Sequence, residues 1–434
     1  MAASLAEDAQ AKGINYFLMS FTDLFGVVRS KLVPRAAIDD IAAEGAGFAG
    51  FAAYLDMSPA DPDLLAMPDL TRMAQLPWKA ETAWVPCDIE MEGKRVEQAP
   101  RATLQRLITA AAEAGYSFKT GVEPEFFLLS PEGTGLSDAG DIRGKPCYDQ
   151  QALMRRYPVI TEICDAMLEL GWEPYQNDHE DANGQFEMNW GFTDPLTTAD
   201  RHNFFKFMVK TIAESHGFRA TFMPKPMPNL TGNGCHVHLS VWNRAGKRNL
   251  MPGGGELGLS DLAYHAIGGL LSRAKDMALI TNPVVNSYKR INSPVTLSGA
   301  TWSPNTVTYG GNNRTHMIRI PGDNRIEVRL ADGAANPYLL QAAVIAAALD
   351  GIQSRTPPGK RLDIDMYTEG HKVRAAPRLP LNMLDAIRGF EKSKFTRAAF
   401  GDEFHAAFTK LKMSEWNEYM RYFSDWEREN ALDV

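Results

Sequence analysis

The sequence predicts an α+β protein in two parts, a small mixed region over residues 1–100 and a larger one over 101–434. Three observations point there. Near the N-terminus, strand-like runs return on themselves about short turns. Farther on, the amphipathic segment Ala199–Ser215 and the almost wholly apolar Pro337–Leu349 read as helices that need a large core. Between them, several strand-like segments place polar groups at i and i+2, on one face of a sheet.

The elements follow in order. Tyr16-Phe-Leu-Met-Ser-Phe reads as a strand, Asp23-Leu-Phe-Gly26 as a turn and Val27–Val33 as the returning strand. Pro34 stops it, and Ala36–Glu44 suits a short helix. Gly45–Ala53 reads as a close-packed loop, and Pro59–Pro68, full of Pro and Asp, as irregular chain. Thr82–Met91 is the next strand, and a boundary falls near Pro100. Arg101–Glu113 is a helix stopped by Gly115, Ser117–Leu129 a strand, and Gln150–Leu170 a helix broken at Pro158. Ala220–Met223 and Cys235–Trp242 read as strands. Asp261–Leu279 reads as one helix with Ser260 at its N-cap. Thr281–Arg314 is mostly irregular, a length of loop that suggests function. Met317–Ile320 and Arg325–Leu330 are strands, and two or three helices follow Leu381.

Composition narrows the function classes. Hydrophobic residues make up 44% and charged residues 23%, an ordinary globular balance. A net charge of −8 argues against a broad nucleic-acid surface. No apolar run suits a bilayer crossing, and the acidic start lacks a signal pattern. The 4 cysteines have no zinc spacing, so a cytoplasmic protein with reduced thiols is expected.

The chemistry gathers around Asn177–Asn189. Asp178, Glu180, Asp181 and Glu187 crowd about the turn Asp181-Ala-Asn-Gly184, a hairpin signal that brings both arms face to face. Alone this reads as a solvated acidic hairpin. It does not stand alone: Glu123-Pro-Glu125 interrupts an apolar strand, and His236-Val-His238 and Arg325-Ile-Glu327-Val-Arg329 repeat the i, i+2 spacing. A sheet with such a face surrounds something charged. Carboxylates suit hard divalent cations such as Mg2+ or Mn2+, and Arg290, Arg314, Arg319, Arg325 and Arg329 suit phosphate or carboxylate. Together they are the equipment of phosphoryl transfer. A zinc site at His236 and His238 lacks a third soft ligand. Gly253–Gly258 matches a dinucleotide fingerprint only in letters, and no phosphate-binding P-loop or serine elbow is present.

The segments Glu123-Pro-Glu-Phe-Phe127, Gly184-Gln-Phe-Glu187, Ala220–Met227, Gly234-Cys-His-Val-His-Leu-Ser240, Asn286-Ser-Tyr-Lys-Arg290, Asn313–Pro321, Arg325–Arg329 and Ala334-Ala-Asn-Pro-Tyr338 resemble the glutamine synthetase family, in the family's order. Asp23–Lys31 and Met67-Pro-Asp69 resemble its N-terminal β-grasp domain. The resemblance implies a curved antiparallel catalytic sheet flanked by helices. It implies two or more metal ions per site: one held by Glu125, Glu180 and Glu187, another by Glu123, His236 and Glu327. It implies that Arg290, Arg329 and Gly232 hold glutamate. It implies that Arg314, Arg319 and Arg325 contact the phosphates of ATP, and that Phe192, His238 and Ser240 line the nucleotide. Family members form γ-glutamyl phosphate, which an amine then attacks, and they typically assemble as two stacked hexameric rings with shared sites.

Two departures concern the amine. Where the family carries an ammonium-binding Asp, the sequence has Ala49, and Trp302 falls about where the family has its flap Glu. A methyl and an indole suit an alkyl group, and an indole face attracts an alkylammonium. Asp178, where the family usually has His, either takes the amine's proton or hydrogen-bonds a metal-bound water; the sequence supports both. The expected reaction is ATP-dependent ligation of glutamate to methylamine. Ammonia, a larger amine such as a polyamine, and a silent structural assembly are the alternatives; the intact set of metal positions argues against the last. No control through a modified tyrosine near Tyr367 is expected.

Overall fold

The computed structural model describes residues 4–434, and in it the strands form two seven-stranded sheets. The first is built from β1 (Tyr16–Thr22), β2 (Val28–Pro34), β3 (Ala46–Phe48), β4 (Leu64–Pro68), β5 (Ala74–Leu76), β6 (Lys79–Met91) and β7 (Lys94–Arg95). Its order is β2-β1-β6-β4-β3, with β5 and β7 also on β6, and β1 runs parallel to β6. The returning pair about Asp23–Gly26 forms as expected. Asp23 is buried, and its carboxylate accepts from the backbone of Phe25 and Val27 and from Arg29, which fixes the turn.

The second sheet has β8 (Tyr116–Leu129) near its middle, then β9 (Gln176–His179), β10 (Gln185–Asn189), β11 (Arg219–Thr221), β12 (Cys235–Asn243), β13 (Ile318–Gly322) and β14 (Arg325–Val328). Its order is β13-β14-β12-β8-β10-β9, with β11 also on β8. Every strand pair in it is antiparallel. Helices cover it, so the α+β expectation holds. The apolar helix spans Pro337–Ser354 and is buried along nearly its whole length. It crosses Asp261–Ser272 closely: a Cβ on Gly351 would stand 2.3 Å from the carbonyl oxygen of His265, so only glycine fits. Arg101 ties the two sheets' layers together, reaching Asp69 and Asp88 of the first region and Asp200 on the helix Pro195–Ser215.

Five sequence expectations need correction. Gly45–Ala53, expected as a loop, holds the strand Ala46–Phe48 and a helical turn at Gly50–Ala52. Leu64–Pro68 is a strand, not irregular chain; its alternation of buried Leu64 and Ala66 is too short to stand out among prolines and aspartates. The helix expected over Asp261–Leu279 is two, Asp261–Ser272 and Ala274–Thr281, broken at Arg273, whose guanidinium reaches across to Asp350. Within Thr281–Arg314 lies the helix Val285–Ile291, which carries Arg290. After Leu381 there are four helices, Met383–Lys392, Lys394–Phe400, Asp402–Tyr419 and Asp425–Ala431. Capping Ser393 and Gly401 divide what periodicity alone runs together.

Candidate active site on the catalytic sheet

Strand register assembles the site. On the antiparallel ladders Asp178 faces Glu187, Glu187 faces Glu125, Glu123 faces His236, His238 faces Glu327, and Glu327 faces Arg319. Directly opposed residues on one face lie about 5 Å apart at Cβ, so a row of ionisable groups runs across the sheet. Three groups of side chains bring ligand atoms within 4.8 Å of one another: Glu123, His236 and Glu327; Glu125, Glu187 and His236; Asp178, Glu180 and Glu187. Glu125 and Glu180 therefore meet through Glu187 rather than in one group. The turn that presents Glu180 and Glu187 is pinned from outside by Asp141, which binds His179, Asn183 and the backbone of Gly184.

The two halves of the row differ in charge balance. Glu123 is opposed by burial, yet hydrogen bonds from His236 and His238 hold it well below the usual carboxylate range. Burial likewise opposes ionisation of Glu327, but Arg329 and His236 hold it low. Arg319 and Arg329 contact its two oxygens at 2.6 and 2.5 Å. On the hairpin side nothing comparable exists. Burial, then the charges of neighbouring carboxylates, push Glu180 and Glu187 well above the usual range, and burial lifts Asp178 to about 6. Such a cluster of buried acids fits divalent cations bound through oxygen. The donor set fits too: among the described residues His236 Nε2 and Asp178 Oδ1 are buried without a hydrogen-bond partner.

The arginines take distinct places. Arg290 is buried, hydrogen-bonded to the carbonyls of Leu330 and Ala331. A Cβ on Gly234 would stand 2.9 Å from both Arg290 Nη2 and His236 Nε2, so this glycine lets the guanidinium and the metal-type ligands come together. Arg329 is buried beside Glu327, and Gly232 offers its carbonyl to Gln185. Arg319 is half-buried, whereas Arg314 and Arg325 are exposed; Arg325 donates to His238 Nδ1 at 3.1 Å. Ser240 accepts from Trp242, and exposed Phe192 packs its Cβ toward Gly121, with Lys119 5.9 Å from its ring. Trp302 is brought to the hairpin, its indole N–H on Asp181. Ala49 is not: it lies exposed after β3, on the first sheet, while the acidic row lies on the second.

Some residues of the site escaped sequence reasoning. Buried Gln185 donates to Glu125, to Gly232 and to Asn233, orienting a carboxylate from the next strand. Its signal was available, since it stands at i−2 to Glu187. Asp141 had none, because a lone Asp in an irregular glycine-rich stretch resembles any loop residue.

This is the catalytic fold of an ATP-dependent carbon–nitrogen ligase, with groups of side chains that could hold metal ions. Residues 97–431 match the family description "Glutamine synthetase, catalytic domain". The chain is 59% identical over 435 residues to a glutamine synthetase of Rhizobium meliloti (strain 1021), with 100% of each covered. It is 41% identical over 433 residues to a glutamate–methylamine ligase of Methyloversatilis universalis, covering 97% of this chain and 96% of that one. Its fold matches a solved GmaS/ADP complex with a TM-score of 0.96 and 59% identity, over 99% of this chain and 100% of that one. The chain belongs to the glutamine synthetase family. Family members use ATP and divalent metals. No helix among the described residues is long and apolar enough to cross a membrane.

Proposed function

We propose that the chain ligates the γ-carboxylate of glutamate to methylamine, giving γ-glutamylmethylamide, ADP and phosphate. The observation that supports this reading is Trp302: an indole, not a carboxylate, is hydrogen-bonded to the acidic hairpin, about where the sequence resemblance would put the family's flap Glu. An indole beside buried acids favours an alkylammonium over the smaller, more strongly hydrated ammonium ion. In this reading Arg290 and Arg329 hold the glutamate carboxylates, and Arg314, Arg319 and Arg325 take the phosphates while Phe192, His238 and Ser240 border the nucleotide. Glu123, Glu125, Glu180, Glu187, His236 and Glu327 would hold divalent cations, which would supply charge neutralisation for the phosphates. A γ-carboxylate oxygen attacks the terminal phosphorus of ATP and ADP leaves. The amine nitrogen then attacks the acyl carbon, the acyl carbon–oxygen bond breaks and phosphate departs. Asp178, lifted to about 6 by burial, is suited to take the alkylammonium proton before that attack.

Steady-state ADP release with glutamate and each of ammonium, methylamine, ethylamine and putrescine tests the reading. Methylamine is expected to give the highest kcat/KM; a maximum with ammonium would replace this reading with glutamine synthesis. Ammonia is the second reading because the Rhizobium relative at 59% identity bears that name. Asp178→Ala should lower amine-dependent turnover by about 10²- to 10⁴-fold while ATP binding persists, the range for loss of a general base. Unchanged turnover would leave Asp178 no part in proton transfer.

We also propose that residues 1–100 act as a separate domain and that subunits form two stacked hexameric rings, in which the first sheet of one subunit completes its neighbour's site. That would explain why Ala49 stands exposed on the first sheet, apart from the acidic row. Light scattering should then give a mass near twelve chains of 48.0 kDa, and a monomer would exclude the shared site.

A further inference from the structure

One carboxylate oxygen next to the acidic row is more heavily used than its place in a turn requires. Asp181 is buried, and its Oδ2 accepts from the hydroxyl of Thr231 at 2.9 Å, from the hydroxyl of Ser298 and from the indole N–H of Trp302 at 2.5 Å. Two of these donors belong to the loop 296–302. That loop folds on itself, with the backbone N–H groups of Thr296 and Gly299 and the Thr296 hydroxyl bonding inside it. Leu297, 69% exposed, projects outward, so the loop packs little apolar surface of its own. Trp302 closes it at φ +49°, a left-handed conformation that a bulky residue holds only where its surroundings impose it. The loop's far end is also placed. Thr301 lies beside Tyr367, which feels the charges of Arg329 and Arg290, and Thr231, bonded to both Asp181 and Thr296, adjoins Gly232, which packs against Arg290. The segment therefore reaches from the hairpin toward the arginines that the ligase reading assigns to glutamate.

We propose that Asp181 is a positioning residue for the amine step. It moors the 296–302 loop over the acyl end of glutamate, sets Trp302 as the wall that selects the amine, and keeps water from the acyl phosphate. This rests on the ligase reading above. It explains why a tryptophan at this position needs an acidic partner in the turn: the buried Asp181 carboxylate has to be satisfied, and the indole N–H is one of its three donors. If the mooring fails, water attacks the acyl carbon in place of the amine. Phosphate leaves, glutamate is regenerated and ADP accumulates without amide.

The experiment measures amide formed per ADP, and the KM of amine, glutamate and ATP, in wild type, Trp302→Phe, Asp181→Asn and Asp181→Ala. Trp302→Phe keeps a ring but removes the N–H; it should raise the amine KM by about tenfold, the value of one charge-assisted hydrogen bond, with the other two KM values little changed. Asp181→Ala should lower the amide-to-ADP ratio, and Asp181→Asn, which keeps an accepting oxygen, should restore most of it. A ratio and amine KM equal to wild type in both Trp302→Phe and Asp181→Ala would overturn the proposal. So would a parallel rise of all three KM values, or a shift confined to the Mg2+ requirement. That last result would mean Asp181 acts only through its backbone bond to Glu180, at 2.8 Å. Should the wild-type protein prefer ammonium, the methylamine reading falls, yet the coupling ratio measured with ammonium still decides the role of Asp181. Trp302→Phe changes a half-exposed loop residue, so it remains informative if Asp181→Ala fails to fold.

Discussion

Replacing Glu187 by Gln is expected to lower turnover about 10³-fold while leaving the metal-free protein as stable as wild type or more so. Glu187 belongs to two of the three ligand groups, so its loss removes a donor from both. A metal contributes several kcal/mol of charge stabilisation during phosphoryl transfer, so kcat should fall by about 10³-fold. Stability moves the other way because Glu187 is a buried acid facing Glu123, Glu180 and Glu125, with only Asn189 donating to it. Its folded-state pKa is raised, so the folded chain binds its proton more tightly than the unfolded chain. Stability of the metal-free protein is then lost as pH rises above the unfolded carboxylate value of about 4. Asp178, at about 6, and Glu180 add to the same trend. Thermal melts in chelator between pH 5 and 8 should show Tm falling with pH, and Mg2+ should raise Tm most at the alkaline end. Glu187→Gln should flatten both effects. A flat wild-type profile would show that the cluster carries no uncompensated charge.

Glu327→Ala should do the opposite to the fold. This carboxylate is fully buried and holds Arg319, Arg329 and, at 3.7 Å, His236. Removing it leaves the buried guanidinium of Arg329 unpaired, which costs about 3–5 kcal/mol for the loss of one partner of a buried pair. Arg329 Nε already has no hydrogen-bond partner among the described residues, so no second acceptor is at hand there. Because Glu327 is held low, its stabilisation is present above the unfolded carboxylate pKa and is lost as pH falls through the folded one. Urea unfolding at pH 7 should therefore separate variant from wild type widely, and the gap should narrow in acid. Equal midpoints at pH 7 would mean that Arg319 and Arg329 are stabilised by something other than Glu327. Two buried glutamates on one sheet face thus carry opposite signs; burial raises both, and the neighbouring charges decide which is held low.

Much of this is legible in the sequence. Alternation puts Glu123 with Glu125, and His236 with His238, on one face, and Asn183-Gly184 marks the hairpin that folds Glu180 toward Glu187. Those are local rules of strand and turn, so one chain segment suffices to read them. The loop mooring was not legible, since Asp181 and Trp302 are 121 positions apart and nothing local pairs them. Nor was the strand Leu64–Pro68, which exists because β6 and β3 flank it rather than because its residues insist on it.

By itself, then, the sequence determined which side chains share a face, where the chain turns, and that acids and guanidinium groups dominate the chemistry. Only the tertiary structure decided which acids are compensated. That depends on burial and on partners from other strands: Arg319 and Arg329 meet Glu327, whereas no cation of the chain pairs closely with Glu180 or Glu187 among the described residues. The strength of a charge is set by the medium and the neighbours that folding provides, and neither is written in the order of the residues.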